Sequence, residues 1–423
     1  MLSREKNELL CRVGPGTPMG EVFRRFWNPI CLASQVPEKR DPLRVEILGE
    51  HLVAFRNAAG EIGLLPEACL HRSVSLALGR VESDGIRCLY HGWKYAIDGR
   101  VVDLPNALPD AQPTLRSRSY PVREAGGLVW AYLGPPEKQP PFPRWPFFKV
   151  PVANMRVNRI NADVNYMQQL EGGTDSSHVG ILHTNFARPG WERGEFSANP
   201  DTDNPAALST ADLAPTLDLE DTDFGFHYAA MRELPGDADG LHNVRIVPIV
   251  MPSTRIIPSV ALQFVIFEVP MNDTRTATFG VTFRPDGGPV DQWKLNEASG
   301  RHDPALFCEQ TNRYLGSWAN NFGQVRENMD RDWSGIHGVV MEDMAMQMTQ
   351  GPIADRSVEH LLAADKAVVR ARQQLLESAQ RVAEGKDPIG VHADLSAVMG
   401  CDRSVPPSTR WQELVPGHPA RTT

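Results

Sequence analysis

The chain has 423 residues, with 52 acidic and 43 basic side chains and a formal net charge of −9. This mild negative charge has the wrong sign for a nucleic-acid binder, and the length predicts two domains. No apolar stretch approaches the roughly 20 residues that cross a bilayer, and residues 1–6 lack the apolar segment of a signal peptide. We therefore expect a cytoplasmic protein with no nucleic-acid or membrane partner and with reduced cysteines.

The first predicted elements are a helix and a set of short strands. Thr17 suits the N-cap and Pro18 the first position of a helix over about 19–27. Alternating apolar residues and turn signals then predict a small antiparallel β domain. Its predicted strands include residues 43–47, 52–55, 62–65 and 127–133.

Six prolines between Pro135 and Pro146 indicate a stiff connection, where we place the domain boundary. Beyond it the pattern predicts a helix, a polar loop, strands and then helices, which argues for an α+β domain. The helix begins at about residue 164, the loop covers 187–215, the strands 224–283, and the helices run to about 383, with an irregular tail after 401. The predicted domains are residues 1–140 and 141–423.

Two short Cys/His motifs lie in the first domain. They are Cys69-Leu70-His71 and Cys88-Leu89-Tyr90-His91, with sixteen residues between them. The pattern C-x-H…C-x-x-H is the ligand set of a Rieske [2Fe–2S] cluster, in which two thiolates hold one iron and two imidazoles hold the other. A turn signal at Asp98-Gly99 places the second pair at the tip of a loop beside a hairpin.

A structural zinc site is the alternative, because two Cys and two His also satisfy tetrahedral Zn²⁺. Zinc pairs usually have two to four residues between their ligands, and the C-x-H spacing is tighter than that. We therefore predict that Cys69, His71, Cys88 and His91 hold an iron–sulfur cluster.

Residues 171–183 concentrate ionisable side chains, as is typical of an active site. In a continuous helix Glu171, Asp175 and His178 share one face, and His183 joins them only if the helix bends or ends near Gly180. Two histidines and one carboxylate form the facial triad of non-haem Fe(II) oxygenases. Histidines at this spacing are more often helix-end residues, but an iron that activates O₂ is the obvious consumer of single electrons from the cluster.

The third ligand must come from elsewhere in the chain. Glu342 and Asp343 are adjacent in a Met-rich run, and the residues alone leave the two nearly even, with helix-dipole compensation as the alternative role. The glycine pair 172–173 is unfavourable within a helix by about 1 kcal/mol per residue. It therefore indicates close approach of another backbone or a ligand.

Arg245 lies within residues 243–251, which read as a strand that is apolar on both faces. A charge among buried residues needs an anionic partner, and a substrate carboxylate held bidentately is one candidate. An internal salt bridge is the favoured alternative. Arg255 raises the same question with less force.

The chain resembles the catalytic α subunit of Rieske non-haem iron ring-hydroxylating oxygenases, and most of all their phthalate dioxygenase branch. The resemblance spans nearly the whole sequence, and its first and last segments are specific to the branch. It is carried by the Cys69/His71/Cys88/His91 set and by residues 14–20, 24–27, 120–122, 130–134, 171–183 and 351–357.

The resemblance implies an N-terminal all-β Rieske domain followed by a helix-grip catalytic domain. It also implies that His178, His183 and Asp343 bind a mononuclear Fe(II), which favours Asp343 over Glu342. Asp175 would be the carboxylate that links this iron to the cluster of a neighbouring subunit in a head-to-tail homotrimer, alone or stacked as a hexamer. A helix N-cap near residue 174 is the alternative role for Asp175.

The predicted function is the oxygenase component of a multicomponent system that uses O₂ to hydroxylate a phthalate- or benzoate-like aromatic acid. The chain has no Gly-x-Gly-x-x-Gly motif between a strand and a helix, so a separate NAD(P)H-dependent flavin/iron–sulfur reductase would supply the electrons. An aryl-ether O-demethylase of the same family is the first alternative. A Rieske electron carrier without oxygenase activity is a distant one, because a carrier has no need of His178, His183 and Asp343.

Overall fold

The computed structural model describes residues 2–37, 41–108, 114–184, 212–234, 240–259, 261–418 and 420. Two helices come first, α1 (Arg4–Cys11) and α2 (Pro18–Arg24). As predicted, the Thr17 hydroxyl caps α2 by accepting a hydrogen bond from the Gly20 amide. Helix α2 ends before residue 27 because Trp27 begins the first strand of a sheet. Helix α1 was not predicted.

Three small antiparallel sheets form the amino-terminal β region, with strand orders β1-β10-β9, β2-β3-β4 and β5-β6-β7-β8. The predicted strands at 52–55 and 62–65 are β3 and β4, and Gly99, with φ +84°, makes the predicted turn between β7 and β8. The strands are β1 (Trp27–Leu32), β2 (Leu43–Ile47), β3 (Glu50–Arg56), β4 (Ile62–Pro66), β5 (Arg80–Val81), β6 (Gly85–Arg87), β7 (Lys94–Ala96), β8 (Val101–Asp103), β9 (Val122–Ala125) and β10 (Leu128–Tyr132).

One large sheet dominates the rest of the chain, in the order β12-β13-β14-β15-β16-β17-β11-β19-β18, with β20 paired to β14. Its pairs are antiparallel except for β11 with β19. Strand β20 corrects the prediction of an irregular tail. The strands are β11 (Arg156–Ala162), β12 (Thr216–Thr222), β13 (Gly225–Glu233), β14 (His242–Val250), β15 (Thr254–Pro258), β16 (Gln263–Asn272), β17 (Arg275–Phe283), β18 (Phe307–Cys308), β19 (Arg313–Tyr314) and β20 (Cys401–Val405).

In the described part of the chain five helices accompany this sheet, and together they confirm the predicted α+β class. They are α3 (Tyr166–Thr174), α4 (Val179–Leu182), α5 (Gln292–Ser299), α6 (Val339–Thr349) and α7 (Lys366–Ala383). Helix α7, predicted at 364–384, packs against α1, α2 and α3. Among the described residues, no helix combines the length and the apolar character needed to cross a membrane. The polar loop predicted at 187–215 lies largely outside the described residues.

The main hydrophobic core includes residues from both halves of the chain. Trp130 of β10 packs edge to face against Phe267 of β16, with ring centroids 5.2 Å apart, and Trp145 packs against the same ring at 5.0 Å. Because apolar burial is the main favourable term in folding, this shared core fixes the β region against the large sheet. The boundary at residue 140 stays a prediction.

Candidate metal centres

Two loops of the amino-terminal β region carry the cysteine and histidine motifs. Cys69 follows β4 and Cys88 follows β6, and each residue begins a tight turn closed by a backbone hydrogen bond. The Ser73 amide donates to the Cys69 carbonyl at 2.8 Å, and the Gly92 amide donates to the Cys88 carbonyl at 3.0 Å. Ser73 and Gly92 both have left-handed φ values, +57° and +76°. Two similar turns therefore present the four side chains.

The two histidines of these loops lie together, and so do the two cysteines. The rings of His71 and His91 lie edge to face with centroids 4.4 Å apart, and both cysteines are buried. The Nδ1 atom of His71 is buried and has no hydrogen-bond partner among the described residues. Such an orphaned nitrogen is costly unless it is used, and metal ligation would use it. The residues fit a cluster held by two thiolates and two imidazoles.

Tyr95 contacts the sulfur side of this site, a role that the sequence reasoning missed. Its hydroxyl oxygen accepts a hydrogen bond from the Leu70 amide at 2.9 Å and lies 3.1 Å from Cys69 Sγ. Burial raises the pKa of Tyr95, and Cys69 raises it further, so the phenol stays protonated and can donate to the sulfur. The only signal in the sequence was an aromatic residue just after the second motif.

Three side chains from two distant parts of the chain form the second centre. His178 precedes the short helix α4, His183 follows it, and Asp343 lies in the first half of α6. Asp343 Oδ1 is 3.2 Å from His183 Nε2 and 3.6 Å from His178 Nε2. One ligand atom from each residue lies within 4.8 Å of the other two. This set of two nitrogens and one oxygen can hold a divalent iron with open coordination positions.

Each of these histidines has a second carboxylate at Nδ1, on the opposite side of the ring. Glu342 Oε2 is hydrogen-bonded to His183 Nδ1 at 2.7 Å, whereas Asp175 Oδ2 lies 3.3 Å from His178 Nδ1, which makes no hydrogen bond among the described residues. A carboxylate at Nδ1 favours the tautomer that protonates this atom and leaves Nε2 free for a metal. The two acidic candidates thus have different positions: Asp343 faces both Nε2 atoms, and Glu342 holds His183 from behind.

The carboxylates make this centre attractive to positive charge. Burial lowers the pKa of His183, but Asp343 and Glu342 outweigh burial and raise that pKa to about 10. Burial raises the pKa of Asp343, and the charges of His183 and His178 outweigh it and lower that pKa. A cation at the shared Nε2 side would be stabilised by the same carboxylate.

Helix α3 ends at Thr174, so the predicted shared face of Glu171, Asp175 and His178 is wrong. The chain leaves the helix at Asp175, whose Oδ1 accepts a hydrogen bond from the Ser177 amide at 2.7 Å and starts the next turn. Glu171 instead accepts hydrogen bonds from two arginines and belongs to the interior packing. The break lies five residues before Gly180.

The protein atoms nearest to the glycine pair at the end of α3 belong to side chains, not to another backbone segment. A Cβ at Gly173 would lie 1.9 Å from Arg255 Nε, and one at Gly172 would lie 2.4 Å from Gln347 Nε2. Arg255 passes over Gly173 to form a buried ion pair with Glu268 of β16. Arg255 therefore has an internal anionic partner, although its Nε has no hydrogen-bond partner among the described residues.

Arg245 of β14 keeps its buried Nε without a hydrogen-bond partner among the described residues, so the favoured internal salt bridge is not made at this atom. Arg232 of β13 lies on the same face of the sheet and is 1% exposed. Its Nη2 donates to Ser176 Oγ at 2.7 Å, whereas its Nε and Nη1 have no partner within the described part of the chain. Burial and the charge of Arg245 lower the pKa of Arg232 to about 10. The sequence reasoning missed Arg232.

Two family models match the chain. Residues 26–121 match the Rieske [2Fe-2S] domain, and residues 131–417 match the model described as LigXa C-terminal domain like. Between them they cover both candidate centres.

Several named proteins are similar over most of their length. The phthalate 4,5-dioxygenase oxygenase subunit of Pseudomonas putida is 38% identical and aligns over 92% of this chain and 89% of its own. The 3-chlorobenzoate-3,4-dioxygenase oxygenase subunit of Comamonas testosteroni is 33% identical over 92% of each chain. The 5,5'-dehydrodivanillate O-demethylase oxygenase subunit of a Sphingobium species is 29% identical over 93% of this chain and 84% of its own.

Solved structures share the fold. The NdmA QL mutant of Pseudomonas putida CBB5 with theobromine superposes with a TM-score of 0.61, covering 93% of this chain and 99% of its own at 19% identity. The structure of dicamba monooxygenase bound to dicamba superposes with a TM-score of 0.56. The match covers 86% of this chain and 99% of the dicamba monooxygenase chain, at 17% identity.

Proposed function

Because this chain belongs to the Rieske non-haem iron oxygenases with a LigXa-like C-terminal domain, we propose that it hydroxylates an aromatic carboxylic acid. It is an oxidoreductase with a Rieske [2Fe–2S] cluster and a mononuclear iron, and it uses O₂. The observation that carries the proposal is the presence, in one chain, of both ligand sets together with buried Arg232, which donates a hydrogen bond to Ser176 beside the second set. A simple electron carrier would need only the first ligand set.

Four residues would hold the cluster and three the iron. We assign Cys69, His71, Cys88 and His91 to the cluster, and His178, His183 and Asp343 to the iron. When bound, the cluster supplies electrons one at a time, and the iron supplies the activation of O₂. The protein orients the ligands: Glu342 would set the tautomer of His183, Asp175 lies beside Nδ1 of His178, and Tyr95 fixes the Cys69 loop.

The substrate carboxylate would be bound by arginine. Arg232 Nε and Nη1 and Arg245 Nε are buried donors without partners among the described residues, and Arg232 reaches Ser176, which lies between Asp175 and His178. Two cationic groups with unused donors favour a bidentate anionic ligand. Relatives that act on phthalate and on chlorobenzoate, by their names, support an aromatic acid of this class, with cis-dihydroxylation as the reaction.

An aryl-ether O-demethylase is the second candidate. It is favoured by the similarity to the dehydrodivanillate O-demethylase oxygenase subunit. Both reactions need the same residues at the iron and an anchored aromatic acid. They differ only in whether a ring carbon or a methyl carbon is held nearest the iron.

A partner must deliver the electrons, and the named relatives are oxygenase subunits. We propose a separate NAD(P)H-dependent flavin/iron–sulfur reductase, and a homotrimer, alone or stacked as a hexamer. Leu70, Leu89 and Tyr90 beside the cluster ligands are 46%, 66% and 53% exposed. A grouped set of exposed apolar side chains favours contact with another chain.

A single turnover tests the function. The iron-loaded, chemically reduced protein is mixed with O₂ and separately with phthalates, benzoates and methoxylated aromatic acids, and products are read by mass spectrometry. A cis-dihydrodiol is expected. Formaldehyde with loss of a methyl group would establish the O-demethylase, and cluster oxidation without product from any of these acids would contradict an aromatic-acid oxygenase.

Asp175 would link the two centres across subunits. Its side chain is 25% exposed, so a carboxylate that already contacts His178 is accessible to His91 of a neighbouring subunit. We expect Asp175→Asn to keep iron and cluster content and to slow reoxidation of the cluster during turnover, because the amide keeps the shape but loses the charge.

A second variant, Asp175→Ala, separates the linking role of Asp175 from its role as the cap of the turn after α3. Both variants should slow the reoxidation, but only alanine removes the acceptor for the Ser177 amide and should also lower the thermal stability. Reoxidation at the wild-type rate in Asp175→Asn would disprove the linking role.

A further inference from the structure

A second group of two histidines and one carboxylate lies on the surface, away from the residues assigned to the iron. Glu297 is in the last turn of α5, His302 follows that helix, and His337 immediately precedes α6. One ligand atom from each residue lies within 4.8 Å of the other two. The rings of His302 and His337 are edge to face, with centroids 5.3 Å apart. Three potential ligands from two chain segments therefore meet at one point.

The distances within this group suit ligands of one ion better than partners of each other. His302 Nδ1 is 3.6 Å from Glu297 Oε2, and His337 Nε2 is 3.8 Å from Glu297 Oε1. Hydrogen bonds between nitrogen and oxygen measure roughly 2.7–3.2 Å, so neither of these two distances corresponds to a hydrogen bond. Two ligands that each bind one ion at about 2.1 Å with tetrahedral angles lie about 3.4 Å apart. Small rotations of the side chains would reach that spacing.

The backbones that carry the histidines are held together by glycines. A Cβ at Gly338 would lie 2.3 Å from the Gly300 nitrogen, so the turn after α5 and the start of α6 touch without room for a side chain. Gly300 and Gly338 have left-handed φ values of +74° and +95°, respectively. Arg301, next to His302, is anchored by a 2.8 Å hydrogen bond to the Arg159 carbonyl of β11. Contacts within the protein thus hold the segments that carry the three ligands.

We propose that Glu297, His302 and His337 form a second metal site that binds a borderline divalent cation such as Zn²⁺. Imidazole and carboxylate together suit Zn²⁺ and similar ions, whereas Mg²⁺ and Ca²⁺ prefer oxygen ligands alone. The side chains are 43%, 46% and 63% exposed, so the ion keeps water ligands and exchanges with solution. Occupancy joins the end of α5 to the start of α6, the helix that carries Glu342 and Asp343.

The site is tested by titrating Zn²⁺ into the iron-loaded holoenzyme in competition with a chromophoric chelator. One Zn²⁺ per chain is expected in addition to the resident iron, with retention of that iron as the control. Zn²⁺ should also raise the temperature of unfolding, because an ion that binds only the folded state stabilises it. The variants are His337→Ala and His302→Ala, which remove exposed side chains.

His392→Ala is the matched control, because His392 Nε2 pairs with Asp387 Oδ2 at 2.9 Å and is 60% exposed. Loss of an outer partner of a metal ligand already lowers affinity about 10- to 100-fold, so loss of His337 or His302 should lower it at least as much. His392→Ala should bind Zn²⁺ like the wild type. Absence of a stoichiometric Zn²⁺, or equal affinity in His337→Ala and the wild type, would overturn the proposal.

Discussion

Each iron-facing histidine has a carboxylate on the side of the ring away from Asp343. For His183 this is Glu342, which is 4% exposed and also accepts a hydrogen bond from the Ser334 hydroxyl at 2.5 Å. Two fixed contacts leave this carboxylate a single orientation, and through it the ring of His183 as well. Orientation of a ligand before the metal arrives reduces the free-energy cost of binding.

We predict that Glu342→Gln weakens iron binding. The amide keeps the size of the side chain but lacks the negative charge that supports the Nδ1 proton of His183, and such a loss lowers metal affinity by about 10- to 100-fold. Iron affinity is measured by competition with a chelator. The exposed Glu327→Gln variant serves as control and should match the wild type. An unchanged affinity in Glu342→Gln would show that Ser334 and packing alone orient the ring.

A second residue-scale prediction concerns the cluster. Tyr95→Phe removes a hydroxyl 3.1 Å from Cys69 Sγ. A hydrogen bond to sulfur stabilises the more negative, reduced cluster, so its loss should lower the reduction potential by about 40 mV if the bond is worth about 1 kcal/mol. Voltammetry measures the potential. Tyr120→Phe, whose hydroxyl contacts Glu50 at 2.6 Å, is the control, and an equal shift there would reject the assignment.

At the scale of elements, the end of α3 decides where the iron-facing residues lie. The helix stops at Thr174, Asp175 caps the next turn, and α4 then carries His178 and His183 at its two ends. Arg255 also contacts α3 nearer its middle, by donating to the Gln169 carbonyl at 3.3 Å. The arginine reaches that carbonyl only because residue 173 has no side chain.

Gly173→Ala should therefore destabilise the protein. The added Cβ would meet Arg255 Nε at 1.9 Å and displace it from Glu268, and overpacking of this kind costs about 1–3 kcal/mol. The free energy of unfolding is measured by urea denaturation. Gly14→Ala is the control, because nothing lies within 4 Å of its added Cβ. Wild-type stability in Gly173→Ala would mean that Arg255 moves aside without loss.

At the scale of the whole molecule, Glu171 joins elements that are far apart in sequence. Its carboxylate accepts hydrogen bonds from Arg356 at 2.7 Å and from Arg372 of α7 at 2.6 Å. Arg356 is 0% exposed and also donates to Asn7 of α1 at 3.0 Å. The segment 351–357, singled out in the sequence, thus packs α1, α3 and α7 together.

Arg356→Ala should lower the free energy of unfolding at pH 7 by about 3–5 kcal/mol, because it leaves a buried carboxylate short of a partner. Urea denaturation measures the loss. Arg370→Ala, which removes a surface pair with Asp221, should cost less than about 1 kcal/mol. Similar losses in the two variants would contradict the role of Arg356.

The ion pair between Glu171 and Arg356 predicts that the free energy of unfolding depends on pH. Burial raises the pKa of Glu171, but Arg356 and Arg372 outweigh it and hold that pKa below the usual 4.5. A lowered folded-state pKa contributes stability above pH 4.5 that is lost as the pH falls further. The difference in unfolding free energy between wild type and Arg356→Ala should therefore narrow on acidification from pH 5 to about pH 3. A constant difference in unfolding free energy over that range would contradict the lowered pKa of Glu171.

Local pattern was sufficient for some elements. Thr17 and Pro18 predicted the start of α2, the Asp98-Gly99 turn predicted a hairpin, and α7 was placed within two residues. These features depend on neighbours in the chain. Helix α1 and strand β20 were missed because Arg356 fixes the first, and pairing with β14 defines the second.

The sequence by itself determined the types of ligand and their local spacing, since the one or two residues between each Cys and His are read directly from it. The tertiary structure decided what the spacing could not: that α3 breaks at Asp175, that Asp343 faces both Nε2 atoms while Glu342 lies behind His183, and that Arg232 lies beside Arg245. The physical reason is the same in each case. These contacts join residues distant in the chain, and only the packing of helices on the large sheet brings them together.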